Sequence, residues 1–225
     1  MKNKNIFVAC DVSTQNEILN LLELIHEDIS GIKIGLQYIS QRSPEEIKEL
    51  SKFNKPIFYD GKFFDIKNTL VESIKSLEKL NITYATVHLL NGLNALKAAN
   101  KEAQKINLKL LGVSVLTSFT NEDLRSLGFE NSVEDQVKRL VKIAIDANIH
   151  GVICSPLEIK MIKEIAPNLK CFTPGIRMSL SNDDQKRTMT ANEAIKAGSD
   201  CLIIGRPITK GNPKKNIKDI LLSIM

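Results

Sequence analysis

The stretch "KPIFYDGKFFDIKNT", residues 55–69, joins a short apolar run to a cluster of charged side chains and then to a helical pattern. Its first part, "PIFYD" (56–60), is typical of a buried strand, because it is short, apolar and bounded by polar residues. Similar runs recur along the whole chain with amphipathic stretches between them. The seven other candidate strands are "IFVAC" (6–10), "GIKIG" (31–35), "ITYATVH" (82–88), "LKLLGVSVL" (108–116), "GVIC" (151–154), "KCFT" (170–173) and "CLIIG" (201–205).

Eight strands that alternate with helices predict a single (β/α)₈ TIM barrel over residues 1–225. Helix starts support this pattern, since each capping box offers a side-chain oxygen and a carboxylate to unpaired N–H groups. The three boxes are Thr14 with Glu17, Ser43 with Glu46, and Thr190 with Glu193. The alternative is an open doubly wound sheet, but neither GxGxxG nor GxxxxGK[ST] follows the first strand.

Composition restricts the class of protein. Of the 225 residues, 43% are hydrophobic and 25% charged, which is ordinary for a globular domain. The net charge of +5 is spread without blocks, so we expect no nucleic-acid groove, although an anionic small molecule would be suitable. No apolar segment reaches the roughly 18 residues of a membrane span, and the N-terminus lacks a signal sequence. We therefore expect a cytoplasmic protein whose four cysteines are buried free thiols.

Polar residues follow the apolar strands at their carboxyl ends, where (β/α)₈ barrels carry their chemistry. The interior of each strand is apolar, so the pattern predicts a polar mouth over an apolar core. Lys62 comes two residues after Asp60, and both side chains would lie on one face if the strand geometry continued. We expect His88 to be structural. The residues at the strand ends are Asp11, Lys33, Asp60, Lys62, His88 and Thr117, with Ser118 beside it.

The last strands predict a phosphate site. "CLIIGRPIT" places Gly205 and Arg206 between a strand and a helix, where backbone N–H groups and an arginine bind phosphate well. The long polar loop 174–189, "PGIRMSLSNDDQKRTM", contains Arg177 and Gln185, which could fold over a bound phosphate. The alternative is a surface loop whose arginine contacts only water.

Several of these stretches together resemble one family. "DGKFFDIKNT" (60–69) resembles the DxKxxDIxNT signature of the orotidine 5′-phosphate decarboxylases, and other matches follow in the same order along the chain. The departures are Lys67, where the family usually has proline, and Phe64, where many members have histidine. "HLLNG" also differs from the usual run after the strand-4 histidine. The further matching stretches are "KIG" (33–35), "VSVLTS" (113–118), "TPGIR" (173–177), "DDQKRTMT" (183–190) and "AGSDCLIIGRPIT" (197–209).

The resemblance implies a carboxy-lyase that converts orotidine 5′-monophosphate to UMP, the last step of de novo pyrimidine nucleotide synthesis. No metal and no cofactor would be needed. Lys62 would protonate C6 of the pyrimidine, and Asp60 would face the substrate carboxylate. Lys33 would bind the ribose and link the charges. Asp65 would enter the active site of the partner subunit, so the working unit would be a homodimer.

The resemblance also implies a set of substrate-binding residues. Asp11 would hold ribose hydroxyls, and Thr117 would lie beside the pyrimidine. Asn68 and Thr69 belong to the same substrate-binding segment as the signature. The residues that would close around the 5′-phosphate are Arg177, Gln185, Gly205 and Arg206.

Two other functions compete with this interpretation. The first is a magnesium-dependent sugar-phosphate decarboxylase or aldolase of the same barrel type, such as a 3-keto-L-gulonate 6-phosphate decarboxylase or a hexulose-phosphate synthase. Those enzymes share the DxKxxD motif but have an acidic metal ligand at the end of the second strand, where this chain has Lys33. The second is an idle barrel that binds a phosphate ligand and regulates a partner. The complete set of Asp60, Lys62 and Asp65 argues against that role, because binding alone would not require it.

Overall fold

Parallel strands close into a barrel in the computed structural model, which describes residues 6–177 and 187–224. Each barrel strand pairs with the barrel strands before and after it in the chain, and the last strand closes the ring on the first. This confirms the predicted (β/α)₈ barrel, and the open-sheet alternative is wrong. The barrel strands are Ile6–Ala9 (β1), Gly31–Gly35 (β2), Ile57–Phe63 (β3), Tyr84–His88 (β4), Lys109–Val113 (β5), Gly151–Ile153 (β6), Lys170–Thr173 (β7) and Cys201–Ile204 (β10).

Helices connect the strands and cover the outside of the barrel. All three predicted capping boxes form, and Gly198 ends its helix with φ +106°. None of the helices in the described ranges combines the length and the apolar character that crossing a membrane requires. The helices are Gln15–Ile25 (α1), Leu36–Ile39 (α2), Pro44–Glu49 (α3), Lys67–Ser76 (α4), Leu93–Lys105 (α5), Asn121–Ser126 (α6), Val133–Asp146 (α7), Ile159–Ile165 (α8), Ala191–Ala197 (α9), Arg206–Thr209 (α10) and Pro213–Ser223 (α11).

Aromatic rings fill the amino-terminal half of the barrel interior. Phe7, Phe58, Tyr84 and Phe172 pack edge-on or tilted, with ring centroids 5.2 to 6.5 Å apart. Gly31 makes room for them, because a Cβ there would lie 2.2 Å from Cε1 of Phe7. Since the rings fill this half of the interior, the open space inside the barrel lies towards the carboxyl ends of the strands. All four cysteines are buried free thiols, as expected.

Strand boundaries differ from the prediction in two places that matter for the site. β3 does not stop at Asp60 but continues to Phe63 through an irregular segment. β5 ends at Val113 and not at Leu116, because the chain leaves the sheet at Ser114, whose hydroxyl donates to the carbonyl of Ile153 (3.1 Å). Thr117 therefore lies in the following loop.

A small second sheet was not predicted. Ile176–Arg177 (β8) pairs in parallel with Met189–Thr190 (β9). The pairing sets Arg177 beside Thr190 and fixes both close to the end of β7, at the mouth of the barrel. Within the long loop, the described residues at its two ends are thus joined by backbone hydrogen bonds.

Candidate active site

A cavity of about 280 Å³ opens at the carboxyl ends of the barrel strands. Its lining contains eight of the residues predicted from the sequence, seven of them polar, and the rest of its wall is mainly apolar. The apolar part contains Phe58, Val113, Val115, Ile153 and Ile203. The cavity therefore combines an apolar wall with a charged rim, as the sequence predicts. The eight predicted residues are Asp11, Lys33, Asp60, Lys62, Thr117, Arg177, Gly205 and Arg206.

Four of these side chains form an alternating charge network. The ammonium of Lys33 lies 3.3 Å from Oδ1 of Asp11 and 3.4 Å from Oδ2 of Asp60. The ammonium of Lys62 lies 2.9 Å from the other carboxylate oxygen of Asp60. Lys33 is only 7% exposed, so its charge depends on these two carboxylates. The network brings together residues that are separated by up to 51 positions in the chain.

The pKa shifts of Lys33 and Asp60 favour the charged form of both residues. Burial disfavours the charged form of Lys33, but Asp60 and Asp11 outweigh it and raise the lysine pKa above its ordinary value. Burial likewise works against the Asp60 carboxylate, but Lys33, Lys62 and the hydroxyl of Thr86 outweigh it and lower the aspartate pKa. At neutral pH, Asp60 is therefore a carboxylate and Lys33 is an ammonium.

Lys62 reaches Asp60 through a β-bulge and not through regular strand geometry. Tyr59 pairs with Ala85 and Phe63 pairs with Val87, so four steps along β3 match two along β4. Lys62 has φ +48°, in the left-handed region that non-glycine residues rarely adopt. The expectation of simple alternation was thus wrong, although the two side chains do meet. The bulge directs the Lys62 side chain towards the cavity, which is a common role of bulges beside functional sites.

The segment after β3 lies outside the cavity of its own chain. Asp65, Asn68 and Thr69 are exposed and do not line it. The segment is nevertheless fixed: the N–H of Asp65 donates to Oδ1 of Asn91 (3.1 Å), and the Asn91 amide donates to the carbonyls of Phe63 (2.9 Å) and His88 (2.7 Å). Asn91 is a positioning residue that the sequence did not reveal.

The predicted phosphate residues lie together at one side of the mouth. Gly205 precedes the short helix α10, whose first residue is Arg206, and the guanidinium of Arg177 donates to the carbonyl of Ile176 (3.0 Å). A Cβ at Gly205 would meet Ala9 at 3.4 Å, which is an ordinary contact. The packing of the protein itself therefore does not demand glycine at this position. Gln185 lies outside the described residues.

A buried ion pair supports the loop that carries Thr117, and sequence reasoning missed it. The guanidinium of Arg187 pairs with Glu158 and donates to the carbonyls of Leu116 (3.1 Å) and Thr117 (3.2 Å). Its carbonyl partners lie about seventy positions away in the chain, so no local pattern could have indicated the contact. Arg187 thus joins the end of the long loop to the β5 loop.

His88 has a structural role, as expected. Its Nδ1 accepts a hydrogen bond from the N–H of Leu90 (3.3 Å) at the start of the turn Leu89–Asn91. Burial, together with the charge of Lys62, lowers its pKa, so the imidazole is neutral at pH 7. It does not line the cavity.

A second, larger cavity of about 550 Å³ lies at the opposite end of the barrel. It is lined by helix residues such as Asn100 of α5 and by helix–strand connections that include Asn148 and His150. It contains no alternating charge network, and in barrels of this kind the amino-terminal end contributes stability while the carboxyl end carries catalysis. We therefore assign the site to the smaller cavity. In the described part of the chain, no group of three or more His, Cys, Asp and Glu side chains is arranged to hold a metal ion.

Comparison with known proteins agrees with this geometry. Residues 4–220 match the model of the "Orotidine 5′-phosphate decarboxylase / HUMPS family". The chain belongs to this family. An orotidine 5′-phosphate decarboxylase of Wolbachia sp. subsp. Brugia malayi is 38% identical over 96% of this chain and 97% of that protein. One from Prochlorococcus marinus (strain MIT 9312) is 40% identical over 100% of this chain and 99% of that protein.

A solved structure shows the same relationship in three dimensions. The crystal structure of an orotidine 5′-phosphate decarboxylase from Lactobacillus acidophilus superposes with a TM-score of 0.86 at 32% identity, covering 98% of this chain and 99% of that one. Membership of the orotidine 5′-phosphate decarboxylase / HUMPS family confirms the resemblance found in the sequence. It also confirms the prediction of an enzyme, a carboxy-lyase.

Proposed function

We propose that this protein decarboxylates orotidine 5′-monophosphate to UMP, the last step of de novo pyrimidine nucleotide synthesis, without a metal or an organic cofactor. One observation carries the proposal: Lys33, Asp60 and Lys62 alternate in charge at 2.9 to 3.4 Å on the rim of an otherwise apolar cavity. The family match and the full-length relatives support the choice of substrate.

The lining of the cavity suits an anionic nucleotide. Four cationic side chains and two carboxylates face it, so the mouth attracts a ligand with a phosphate and a carboxylate. The phosphate binds at Arg177 and Arg206 beside Gly205, with Gln185 closing over it. Asp11 and Lys33 hold the ribose. The pyrimidine lies beside Thr117 against the apolar wall. Asn68 and Thr69 belong to the substrate-binding segment of the signature, together with Asp65.

Lys62 performs the central chemical step. The bond between C6 and the carboxylate breaks, carbon dioxide leaves, and the electron pair stays on C6. No adjacent carbonyl accepts that pair, so the ammonium of Lys62 stabilises it electrostatically and then donates a proton to form the C6–H bond. Lys33 and Lys62, on either side of Asp60, keep it ionised. Asp60 faces the substrate carboxylate, and the repulsion between the two carboxylates disappears as carbon dioxide forms.

The working unit is a homodimer in which Asp65 completes the site of the partner subunit. Asp65 is exposed and lies outside the cavity of its own chain. Its neighbours Phe64 and Ile66 are 62% and 73% exposed, which is unusual for large apolar side chains. A second subunit that covers these two residues would bury their apolar surface and receive the carboxylate between them.

A magnesium-dependent sugar-phosphate enzyme is the second candidate, because the matching family model also includes the HUMPS branch. Such an enzyme needs oxygen ligands around its cation. The position between the carboxylates of Asp11 and Asp60 is occupied by the ammonium of Lys33, 3.3 and 3.4 Å from them. This charge arrangement favours the metal-free decarboxylase.

The absorbance of orotidine 5′-monophosphate in the presence of purified protein tests the proposal. We expect loss of substrate absorbance and formation of UMP at the same rate with and without EDTA. The Lys62→Ala protein, purified in the same way, controls for a contaminating host enzyme. Activity that EDTA abolishes would favour the magnesium enzymes. UMP binding without turnover would favour the idle barrel, and either result would overturn the proposal.

A further inference from the structure

Thr86 lies on β4, at the point where this strand packs against the bulge of β3. It is fully buried, and it points into the barrel in the register between Tyr84 and His88. Its side chain is not part of the cavity lining. Nevertheless, both residues at the centre of the proposed chemistry, Asp60 and Lys62, bond to its hydroxyl.

The direction of these two hydrogen bonds is determined by chemistry. The backbone N–H of Lys62 can only donate, so the hydroxyl oxygen of Thr86 accepts from it (2.8 Å). The single hydroxyl hydrogen is then available for Oδ1 of Asp60, an ionised acceptor 3.0 Å away. The same Oδ1 also receives the ammonium of Lys62 at 2.9 Å. Thr86, Asp60 and Lys62 thus form a closed ring of three contacts.

This ring explains how an unfavourable backbone persists at Lys62. A left-handed conformation costs a non-glycine residue about 1–2 kcal/mol, and such a conformation persists only where its surroundings enforce it. The Thr86 hydroxyl holds the Lys62 backbone on one side, and through Asp60 it holds the Lys62 ammonium on the other. Without the hydroxyl, the N–H of Lys62 would lose its acceptor, and the bulge could return to a regular register.

We propose that Thr86 is a positioning residue that sets the Lys62 ammonium in place through its hydroxyl. The inference rests on the proposed function and adds to it a residue that acts without touching substrate. Its effect falls on the chemical step, because its hydroxyl bonds to Lys62 and Asp60 and not to Asp11 or Lys33, which are proposed to hold the ribose. Misplacement of a catalytic group by even a small distance is costly in rate.

The test compares Thr86→Val, which keeps the shape and loses the hydroxyl, with Thr86→Ser, which keeps the hydroxyl. We expect Thr86→Val to lower kcat about ten- to hundredfold, as removal of a hydrogen bond to a charged group does, with KM changed less than about twofold. Thr86→Ser should recover most of the loss. Thr173→Val is the matched control: Thr173 is also fully buried, its hydroxyl accepts from Ser199 (2.8 Å), and kcat should stay within about twofold of wild type.

A second measurement separates this inference from the proposed function. The crystal structure of Thr86→Val should show Lys62 out of the left-handed region and the β3 register changed at the bulge. If the wild type fails to decarboxylate orotidine 5′-monophosphate, the proposed function is wrong. The bulge in the Thr86→Val crystal structure then still tests whether Thr86 positions Lys62. Wild-type kcat in Thr86→Val, an equal loss in Thr86→Ser, or an unchanged bulge would each overturn the inference.

Discussion

Removal of the Lys62 side chain should abolish turnover and leave the fold almost unchanged. A positive charge about 4 Å from the electron pair on C6 contributes roughly 4 kcal/mol at an effective dielectric constant of about 20, or about a thousandfold in rate. Proton donation by a positioned group adds about 10²–10⁴-fold. Lys62→Ala loses both contributions, so we expect kcat to fall by about 10⁵-fold or more.

The stability of Lys62→Ala should change little, for structural reasons. The Lys62 side chain is 35% exposed, and an ion pair at such a position contributes at most about 1 kcal/mol. Without it, Asp60 keeps the hydrogen bond from Thr86 at 3.0 Å and the ion pair with Lys33 at 3.4 Å. The carboxylate therefore stays paired, and the barrel loses no core contact.

Two measurements on the same preparation check this prediction. Turnover of orotidine 5′-monophosphate is followed by absorbance, and the free energy of unfolding is measured in urea. Lys52→Ala is the matched control, since Lys52 forms an ion pair with Glu49 at 3.1 Å on the surface and should keep full activity. Turnover of Lys62→Ala within about tenfold of wild type, in well-folded protein, would refute the assignment of Lys62 as proton donor.

Three further predictions concern the dimer, the bulge and pH. Equal amounts of inactive Lys62→Ala and Asp65→Ala, mixed and allowed to exchange subunits, should regain about a quarter of wild-type activity, because half the dimers then have one intact site; no recovery after verified exchange would exclude a shared site. The free energy of unfolding in urea should be about 1 kcal/mol higher for Lys62→Gly than for Lys62→Ala, since glycine adopts positive φ freely. The lowered pKa of Asp60 gives stability that is present above the unfolded value of about 3.9 and is lost as the pH falls through the folded value; wild type and Asp60→Asn should therefore differ by a constant amount in urea stability from pH 7 to about pH 4, and converge only below it.

The barrel and most of its polar mouth were predictable because they depend on local patterns. Apolar runs of four or five residues fixed β2 and β7 to the residue, and the capping boxes marked helix starts. In a closed parallel barrel the carboxyl ends of all strands meet at one end. Once eight strands are recognised, Asp11, Lys33 and Asp60 therefore share a cavity, whatever their separation in the chain.

The bulge and its supports were not predictable, because they depend on contacts between distant segments. In "DGKF" a positive φ would be expected at Gly61, but the structure places it at Lys62. Gly61 has a different reason to be glycine, since a Cβ there would lie 2.8 Å from the ring of Tyr59. The partners of the bulge, Thr86 and Asn91, lie 24 or more residues further along the chain. No spacing rule connects them to β3.

The strain at Lys62 and the ionisation of Asp60 have one common origin. A lysine at φ +48° is unfavourable for the backbone, and a carboxylate at the mouth of an apolar cavity is unfavourable for the side chain. The two are linked: the ammonium groups of Lys33 and Lys62 together lower the pKa of Asp60, and Asp60 holds the Lys62 ammonium over the cavity. Thr86 connects the two by donating to the carboxylate and accepting from the Lys62 N–H. The proposed proton donor is thus in place before any substrate arrives, as electrostatic preorganisation requires.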